Sequence, residues 1–330
     1  MITVLGAGNF GTTLANIVAG KGYQTKIWTI EEDVYQDVKE NSCNQKYLPG
    51  VELADKIEIY MELEEALSST EIIIVGVPSH VVREVIKKTV PIIKDTHQRI
   101  LLDIAKGLEP ETFLRMSEVI QEELAHDGCQ QHKLVALSGP SIANELSQGV
   151  HTAVMVASEE IEYARRIKDV FETKRLKLIL SQDIVGLELG GVFKNIVALL
   201  MGICDGAGLG VNTRAALMVA IYEEISRLSV ALGAERETLY GLPGLGDMIA
   251  TSMSPSSRNR TLGKMIGEGK TLSQARDEMH MVAEGVSALR VACQVAEDYE
   301  LEVPLIRKEY ELLFEGASIH DLVAYYYSLA

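Results

Sequence analysis

Three glycines near the amino terminus have the spacing of a phosphate-binding turn. Gly6, Gly8 and Gly11 follow the apolar run Ile2–Leu5 in a G-x-G-x-x-G pattern. Glycine at these places permits a tight turn, close approach of backbone to a pyrophosphate, and close packing of helix on strand. A helix that begins at Asn9 would direct unpaired N–H groups and its positive dipole end at the same anion. The pattern predicts a dinucleotide site, with a chance cluster of glycines as the alternative.

Consecutive acids follow the second predicted strand, at Glu31, Glu32 and Asp33. An acid about 20 residues beyond the glycines can accept a hydrogen bond from a ribose 2′-hydroxyl. Three acids in a row repel a 2′-phosphate, and the next basic residue along the chain is Lys39. We therefore expect a dinucleotide with a free ribose 2′-hydroxyl, which for a nicotinamide cofactor means NADH in preference to NADPH.

A single lysine stands in the most apolar helical segment. Lys194 follows Gly190 and Gly191 by about one helical turn. A lysine desolvated in such surroundings has a lowered pKa, which suits proton transfer. The alternative is a lysine that extends from a buried helix to solvent. The paired glycines favour a functional lysine, because they cost helix stability without an obvious packing gain.

Two further segments carry polar groups in the second half. Residues 241–247 are too rich in glycine and proline for a helix, and they deliver Asp247; a plain turn is the alternative. Residues 254–260 offer hydroxyls, an amide and two guanidinium groups, which suit a phosphate. The stretch 258–270 holds four basic residues and one acid, within a chain of net charge −16. A solvated helix start is the other interpretation of this stretch.

Strand ends in the first half also carry polar residues. Ligands of open α/β sheets bind beyond the carboxyl ends of strands. Pro78, Lys106 and the segment Ser138-Gly139-Pro140-Ser141 follow three predicted strands. Lys106 is either aimed at a ligand or a solvated loop lysine, and Pro140 fits the first turn of a helix.

Composition limits the class of protein. At 330 residues two domains are expected, and 47% hydrophobic residues indicate a globular chain. The net charge of −16 argues against nucleic acid and anionic membrane as partners. Four scattered cysteines indicate free thiols in a reducing compartment, and no His/Cys cluster has metal-ligand spacing. The apolar stretch 184–203 is interrupted by Glu188 and Lys194, so we expect no membrane segment and a cytoplasmic protein.

The period of the hydrophobic pattern changes near residue 183. Strands are predicted at 2–5, 25–29, 71–77, 99–104, 134–137, 153–157 and 177–180, with helices between them at 34–41, 81–89, 110–124 and 159–172. Alternating strands and helices predict an α/β domain with a parallel, doubly wound, Rossmann-type sheet. Later helices are predicted at 184–204, 213–232, 272–279, 287–297 and 304–315. We expect a dinucleotide-binding domain at 1–183 and an all-α substrate domain at 184–330.

These pieces together resemble the NAD(P)-dependent glycerol-3-phosphate dehydrogenases of the bacterial type, over nearly the whole chain. The match includes the Gly6–Gly11 turn, Lys106-Gly107, Lys194-Asn195, Asp205-Gly206, Gly244-Leu245-Gly246-Asp247, Ser257-Arg258-Asn259-Arg260 and Met281-Val282-Ala283-Glu284-Gly285. The resemblance implies reversible reduction of dihydroxyacetone phosphate to sn-glycerol 3-phosphate for glycerophospholipid synthesis. It also implies a homodimer.

The resemblance assigns roles residue by residue. Lys194 would donate or accept the proton, with Lys106 and Asp247 beside the reacting groups. The implied substrate residues are Lys106, Gly139, Ser141, Lys194, Asp247, Ser257, Arg258 and Asn259. The implied cofactor residues are Gly6, Gly8, Asn9, Phe10, Gly11, Glu31, Pro78, Lys106, Ala143, Arg258, Val282 and Glu284.

Two other functions fit parts of the pattern. A related two-domain dehydrogenase of a β-hydroxy acid or sugar acid would share the glycine turn without needing the basic segment 257–260. A non-catalytic nucleotide sensor on the same fold would not need Lys194.

Overall fold

A computed structural model describes residues 1–94, 97–279 and 283–328. The chain divides into two compact units, Met1–Leu187 and Glu188–Ala330. Among the described residues, every strand lies in the first unit, and the regular elements of the second unit are helices.

Eight of the ten strands form one sheet in the first unit, in the order β10-β9-β8-β7-β6-β1-β2-β5. The other two form a small antiparallel hairpin. The strands are β1 (Ile2–Leu5), β2 (Thr25–Trp28), β3 (Cys43–Asn44), β4 (Leu48–Glu52), β5 (Ile57–Tyr60), β6 (Ile72–Val75), β7 (Ile100–Asp103), β8 (Lys133–Ser138), β9 (Thr152–Ala157) and β10 (Leu176–Ser181).

Helices connect these strands and cover both faces of the sheet. They are α1 (Asn9–Gly20), α2 (Glu32–Asn41), α3 (Leu63–Leu67), α4 (Val82–Ile93), α5 (Met116–His126), α6 (Ala143–Ser147) and α7 (Ile161–Phe171). Val4 belongs to a buried cluster on one face, whereas Leu5 belongs to a second cluster on the other. Strands buried on both faces explain the continuous apolar runs in the sequence.

The structure confirms the α/β class and the Rossmann-type sheet, with one departure. Six strand pairs are parallel, but β8 and β9 are antiparallel. The predicted helix at 110–124 is displaced and begins only at Met116. The β3–β4 hairpin and the edge strand β5 were not predicted, because β4 contains Pro49 and Gly50 and β5 is only half-buried, so neither shows a continuous apolar run.

The second unit packs helices around one long apolar helix. The helices are α8 (Ile184–Gly206), α9 (Val211–Ala231), α10 (Arg236–Leu239), α11 (Asp247–Met253), α12 (Arg258–Gly267), α13 (Leu272–Glu278), α14 (Gly285–Asp298), α15 (Pro304–Phe314) and α16 (Ile319–Ser328). Helix α8 begins where the Asp183 carboxylate accepts from the backbone N–H of Gly186 at 2.7 Å. By length and composition α8 could cross a membrane, and 94% of its apolar window is buried inside the protein.

Helices α8 and α12 touch backbone to backbone through four glycines. A Cβ at Gly202 would lie 2.9 Å from the Lys264 nitrogen, and one at Gly206 would lie 2.8 Å from the Glu268 nitrogen. On the α12 side, a Cβ at Gly263 would lie 2.9 Å from the Ile203 nitrogen, and one at Gly267 would lie 2.9 Å from the Ala207 nitrogen. Real side chains do not fit at such distances, so small residues on both helices permit this contact.

Two buried titratable groups outside the predicted site lie on α8 and α15. Burial, and then the nearby Glu309 carboxyl, raise the pKa of the free Cys204 thiol to about 12. Neither oxygen of Glu309 has a hydrogen-bond partner in the part of the chain that the structure describes. Burial raises the pKa of this carboxyl well above its ordinary 4.5.

Replacing Glu309 by glutamine is expected to stabilise the folded protein, and this gain should grow as pH rises. The folded state keeps Glu309 protonated to a higher pH than the unfolded chain does, so this group destabilises folding progressively above pH 4.5. Urea unfolding should show a gain of about 1–3 kcal/mol for Glu309→Gln at pH 8. The gain in unfolding free energy should shrink towards pH 5, because the unfolded chain then also protonates Glu309 and the neutral carboxyl and the amide carry no charge in either state. A pH-independent difference between the two proteins would contradict the assignment.

Candidate active site and dinucleotide site

The glycine turn lies where the strand order reverses. After β1 the chain adds β2 and β5 on one side, then returns to place β6 on the other side of β1. Gly6 has φ +104°, and a Cβ there would lie 3.0 Å from the Gly76 carbonyl oxygen in the loop after β6. Only glycine combines this backbone angle with this contact. Such a switch point is where open α/β sheets bind their ligands.

The start of α1 is open towards a ligand. Gly8 caps the helix without a side-chain hydrogen bond, and the space around its missing Cβ holds only the Gly76 oxygen at 4.0 Å. Asn9 Nδ2 donates to Asn144 Oδ1 at 3.0 Å. Asn9 Oδ1 is a buried acceptor with no partner among the described residues. Free N–H groups, an open glycine and an unsatisfied acceptor fit a dinucleotide that brings phosphates and donors.

The other predicted cofactor residues are divided between the two units. Phe10 packs against the core next to Gly11, Pro78 is exposed after β6, and Ala143 begins α6 in the first unit. Arg258 and Glu284 belong to the second unit, where Arg258 begins α12 and Glu284 precedes α14. Val282 lies outside the described residues.

The acidic segment after β2 has partners that the sequence did not reveal. Lys46 forms a short ion pair with Glu31 and a second ion pair, of 2.9 Å, with Asp33. The Tyr47 hydroxyl donates to Glu31 Oε1 at 2.9 Å. Lys39 follows the acids in sequence, but its ammonium contacts the Tyr35 hydroxyl at 2.8 Å. A basic residue therefore does face the acids, because the β3–β4 hairpin returns to them.

Lys106, Gly139 and Ser141 come together beyond β7 and β8. The Lys106 ammonium donates to the Gly139 carbonyl at 3.3 Å, and Ser141 Oγ donates to the same oxygen at 3.0 Å. Gly139 has φ +141°, and a Cβ there would lie 3.1 Å from Val154 Cα. Helix α6 begins only at Ala143, so the interpretation of Pro140 as a first-turn residue is wrong.

A buried ion pair occupies the second unit. Lys194 Nζ lies 2.5 Å from Asp247 Oδ2, and their side chains are only 7% and 4% exposed. Thr251 Oγ1 donates to the other Asp247 oxygen at 3.3 Å. Burial disfavours the charged lysine, whereas the adjacent carboxylate favours it. The carboxylate therefore favours the ammonium form of a lysine that is almost entirely buried.

The segment that carries Asp247 is helical, contrary to the sequence interpretation. Leu242–Gly246 is a π-helical turn that continues directly into α11 at Asp247. A Cβ at Gly190 would lie 2.9 Å from the nitrogen and Cα of Gly244. The glycine one turn before Lys194 therefore has a packing role: it lets the π-turn approach α8 closely enough to deliver Asp247.

An amide network joins three helices beside this pair. Buried Asn259 donates from Nδ2 to Asn195 Oδ1 at 2.9 Å, and its Oδ1 accepts from the Gly285 N–H at 2.8 Å. Ser257 caps α12 by accepting from the Arg260 N–H at 3.3 Å. Arg258 stands exposed at the first position of that helix.

Asp205 holds α12 from the end of α8. Its Oδ2 accepts from Arg260 Nε at 2.8 Å and lies 2.5 Å from the second guanidinium nitrogen. Its Oδ1 pairs with Arg214. Of the basic residues at 258–270, Arg260 is therefore paired within the protein, while Arg258 projects into solvent.

Family models match both halves of the chain. Residues 1–164 match the N-terminus of NAD-dependent glycerol-3-phosphate dehydrogenase, and residues 183–324 match its C-terminus. The chain belongs to this dehydrogenase family.

Named relatives cover nearly all of the chain. Glycerol-3-phosphate dehydrogenase [NAD(P)+] of Clostridium perfringens is 40% identical over 98% of this chain and 96% of its own length. The enzyme of the same name from Pelotomaculum thermopropionicum is 41% identical over 96% of this chain and 90% of its own. The crystal structure of glycerol-3-phosphate dehydrogenase from Coxiella burnetii has a TM-score of 0.89 at 31% identity, covering 98% and 97% of the two chains.

Several partners at these dehydrogenase sites were missed from sequence. Asn195 and Asp205 reach their partners across helix contacts, Thr251 reaches Asp247 within α11, and Lys46 and Tyr47 reach Glu31 from the hairpin turn. The four-residue spacing of Thr251 from Asp247 was the one local signal, since such residues share a helix face. The described residues contain no group of three or more His, Cys, Asp or Glu that could hold a metal.

Alanine at Gly190 is expected to weaken both the fold and the ion pair. Its Cβ would push against the Gly244 backbone, and overpacking of this kind costs about 1–3 kcal/mol. Urea unfolding should report this loss, while Gly20→Ala, at a helical glycine with nothing within 4 Å, should be near neutral. Equal stability of the two variants would show that the close approach is not required.

Proposed function

We propose that this protein is an NAD(P)-dependent glycerol-3-phosphate dehydrogenase that interconverts dihydroxyacetone phosphate and sn-glycerol 3-phosphate. The observation that carries the proposal is the buried Lys194–Asp247 pair at the close contact of α8 with the π-turn. Family membership and the names of the relatives support it.

We assign the dinucleotide to the domain of residues 1–183. Gly6, Gly8 and Gly11 would give the pyrophosphate room, with Asn9 and Phe10 at the start of α1 beside it. Pro78 and Ala143 would line the same region, beyond β6 and at the start of α6. A bound nicotinamide supplies a hydride in reduction and accepts one in oxidation.

Lys194 would carry the proton chemistry. Reduction of the substrate's C2 carbonyl leaves negative charge on its oxygen, which an ammonium both stabilises and protonates. In oxidation the neutral amine would take the hydroxyl proton. Asp247, held by Thr251, would fix the position of Lys194 and favour its charged form.

The substrate phosphate would lie at the start of α12. Arg258 is exposed there, Ser257 keeps a hydroxyl proton to donate, and the helix end favours an anion. Asn259 joins α8 and α14 through its amide, so it would hold the two helices as well as contact substrate. Binding the phosphate group, at a distance from the reacting C2 carbonyl, would orient that carbonyl for reaction.

Further residues of both domains are proposed to contact the substrate or the cofactor. Lys106, Gly139 and Ser141 are proposed to contact substrate, and Lys106 also the cofactor. Arg258, Val282 and Glu284 are proposed cofactor residues of the helical domain, 184–330. We also propose a cytoplasmic homodimer that supplies glycerophospholipid synthesis.

We propose a preference for NADH over NADPH. Glu31 lies three residues after β2 at the N-cap of α2, and Glu32 and Asp33 begin that helix. Its carboxylate can accept from a ribose 2′-hydroxyl, whereas a 2′-phosphate would meet three acids and one ammonium, Lys46.

A substrate panel tests this function. Purified protein should oxidise NADH with dihydroxyacetone phosphate and yield sn-glycerol 3-phosphate. The kcat/KM for unphosphorylated dihydroxyacetone, or for β-keto acids, should be lower by at least about a hundredfold, because the phosphate contacts are lost. NADPH should give a lower kcat/KM than NADH. Better turnover of a keto acid would overturn the substrate assignment, and equal use of NADPH would overturn the cofactor preference.

A further inference from the structure

The β3–β4 hairpin is fastened to the glycine turn by one buried amide. Asn44 is fully buried, and its Nδ2 donates to the Ala7 carbonyl at 2.8 Å and to Thr12 Oγ1 at 3.0 Å. Its Oδ1 accepts from the Tyr47 N–H at 3.1 Å. The hairpin turn therefore has a defined position relative to residues 6–11, although it is distant from them in sequence.

The turn of this hairpin carries the two groups that hold Glu31. Tyr47 donates its hydroxyl to Glu31, and the Lys46 ammonium lies between the carboxylates of Glu31 and Asp33. The Lys46 side chain is 45% exposed and lies over the Tyr47 ring at 5.5 Å from its centre. The ammonium is thus oriented by its partners and still accessible to a ligand.

The charges around Glu31 set what Lys46 can do. Lys46 and its two counter-ions, Glu31 and Asp33, sum to one negative charge, and both carboxylates compete with any anion for the ammonium. Without them, Lys46 stays cationic at neutral pH, because the pKa of an unperturbed lysine is about 10.4. An unpaired ammonium at the ribose end of a dinucleotide site attracts a phosphate.

We propose that Lys46 is a latent ligand for a ribose 2′-phosphate. In the native protein its ammonium is held by the counter-ions Glu31 and Asp33. This inference rests on the proposed dinucleotide site. In the native protein Lys46 is a positioning residue, since it and Tyr47 orient the Glu31 carboxylate towards a 2′-hydroxyl. The same lysine becomes the specificity-determining contact for a 2′-phosphate when the acids are removed.

Binding of two nicotinamide-free probes tests the proposal by calorimetry. ADP-ribose carries the 2′-hydroxyl, and 2′-phospho-ADP-ribose carries the phosphate. Native protein should bind ADP-ribose more tightly. Glu31→Ser with Asp33→Ser should improve binding of the phosphorylated probe by at least about tenfold. Adding Lys46→Met to that variant should abolish the gain, whereas adding Lys39→Met, a change in a neighbouring lysine held by Tyr35, should retain it.

The outcomes separate this inference from the function on which it rests. Native protein that binds neither probe would overturn the dinucleotide site and the inference with it. ADP-ribose binding with no gain in the double-serine variant would overturn the role of Lys46 alone. A gain that survives Lys46→Met would do the same. The isosteric pair Glu31→Gln with Asp33→Asn should also gain, and this repeats the test without shortening the side chains.

Discussion

Close backbone contact with α8 is the constraint on which the second unit depends. Gly190 admits the π-turn that brings Asp247 to Lys194, while Gly202 and Gly206 admit α12. A Cβ at any of these places would lie within 3 Å of the facing backbone, so the elements would have to move apart. The ion pair and the amide network therefore depend on close helix packing at glycines.

Burial of polar groups has opposite effects in two parts of this unit. Lys194 and Asp247 lie within ion-pair distance while nearly buried, so each offsets part of the other's desolvation cost. Glu309 has no such partner among the described residues, and burial raises the pKa of its carboxyl instead. The first arrangement favours a buried charge, and the second disfavours one.

The sequence predicted those features that a local pattern encodes. The turn at Gly6 was predicted from the spacing of Gly6, Gly8 and Gly11 after an apolar strand. Lys194 was singled out because most of its neighbours in sequence are apolar. The role of Gly190 in admitting the Gly244 backbone could not be predicted, since it depends on which helix face meets the π-turn. Likewise Lys46 is 15 residues from Glu31, and only the hairpin fastened by Asn44 brings them together. Long-range polar pairs of this kind leave no periodic signal along the chain.

The most direct measurement is the single-turnover rate of dihydroxyacetone phosphate reduction by Lys194→Ala, with and without added ethylamine. Loss of a positioned proton donor should lower the rate by about 10²–10⁴-fold. Ethylamine should restore part of the rate by occupying the vacated volume beside Asp247, and Asp247→Asn should weaken that rescue. A Lys194→Ala variant that retains the native rate would contradict the account.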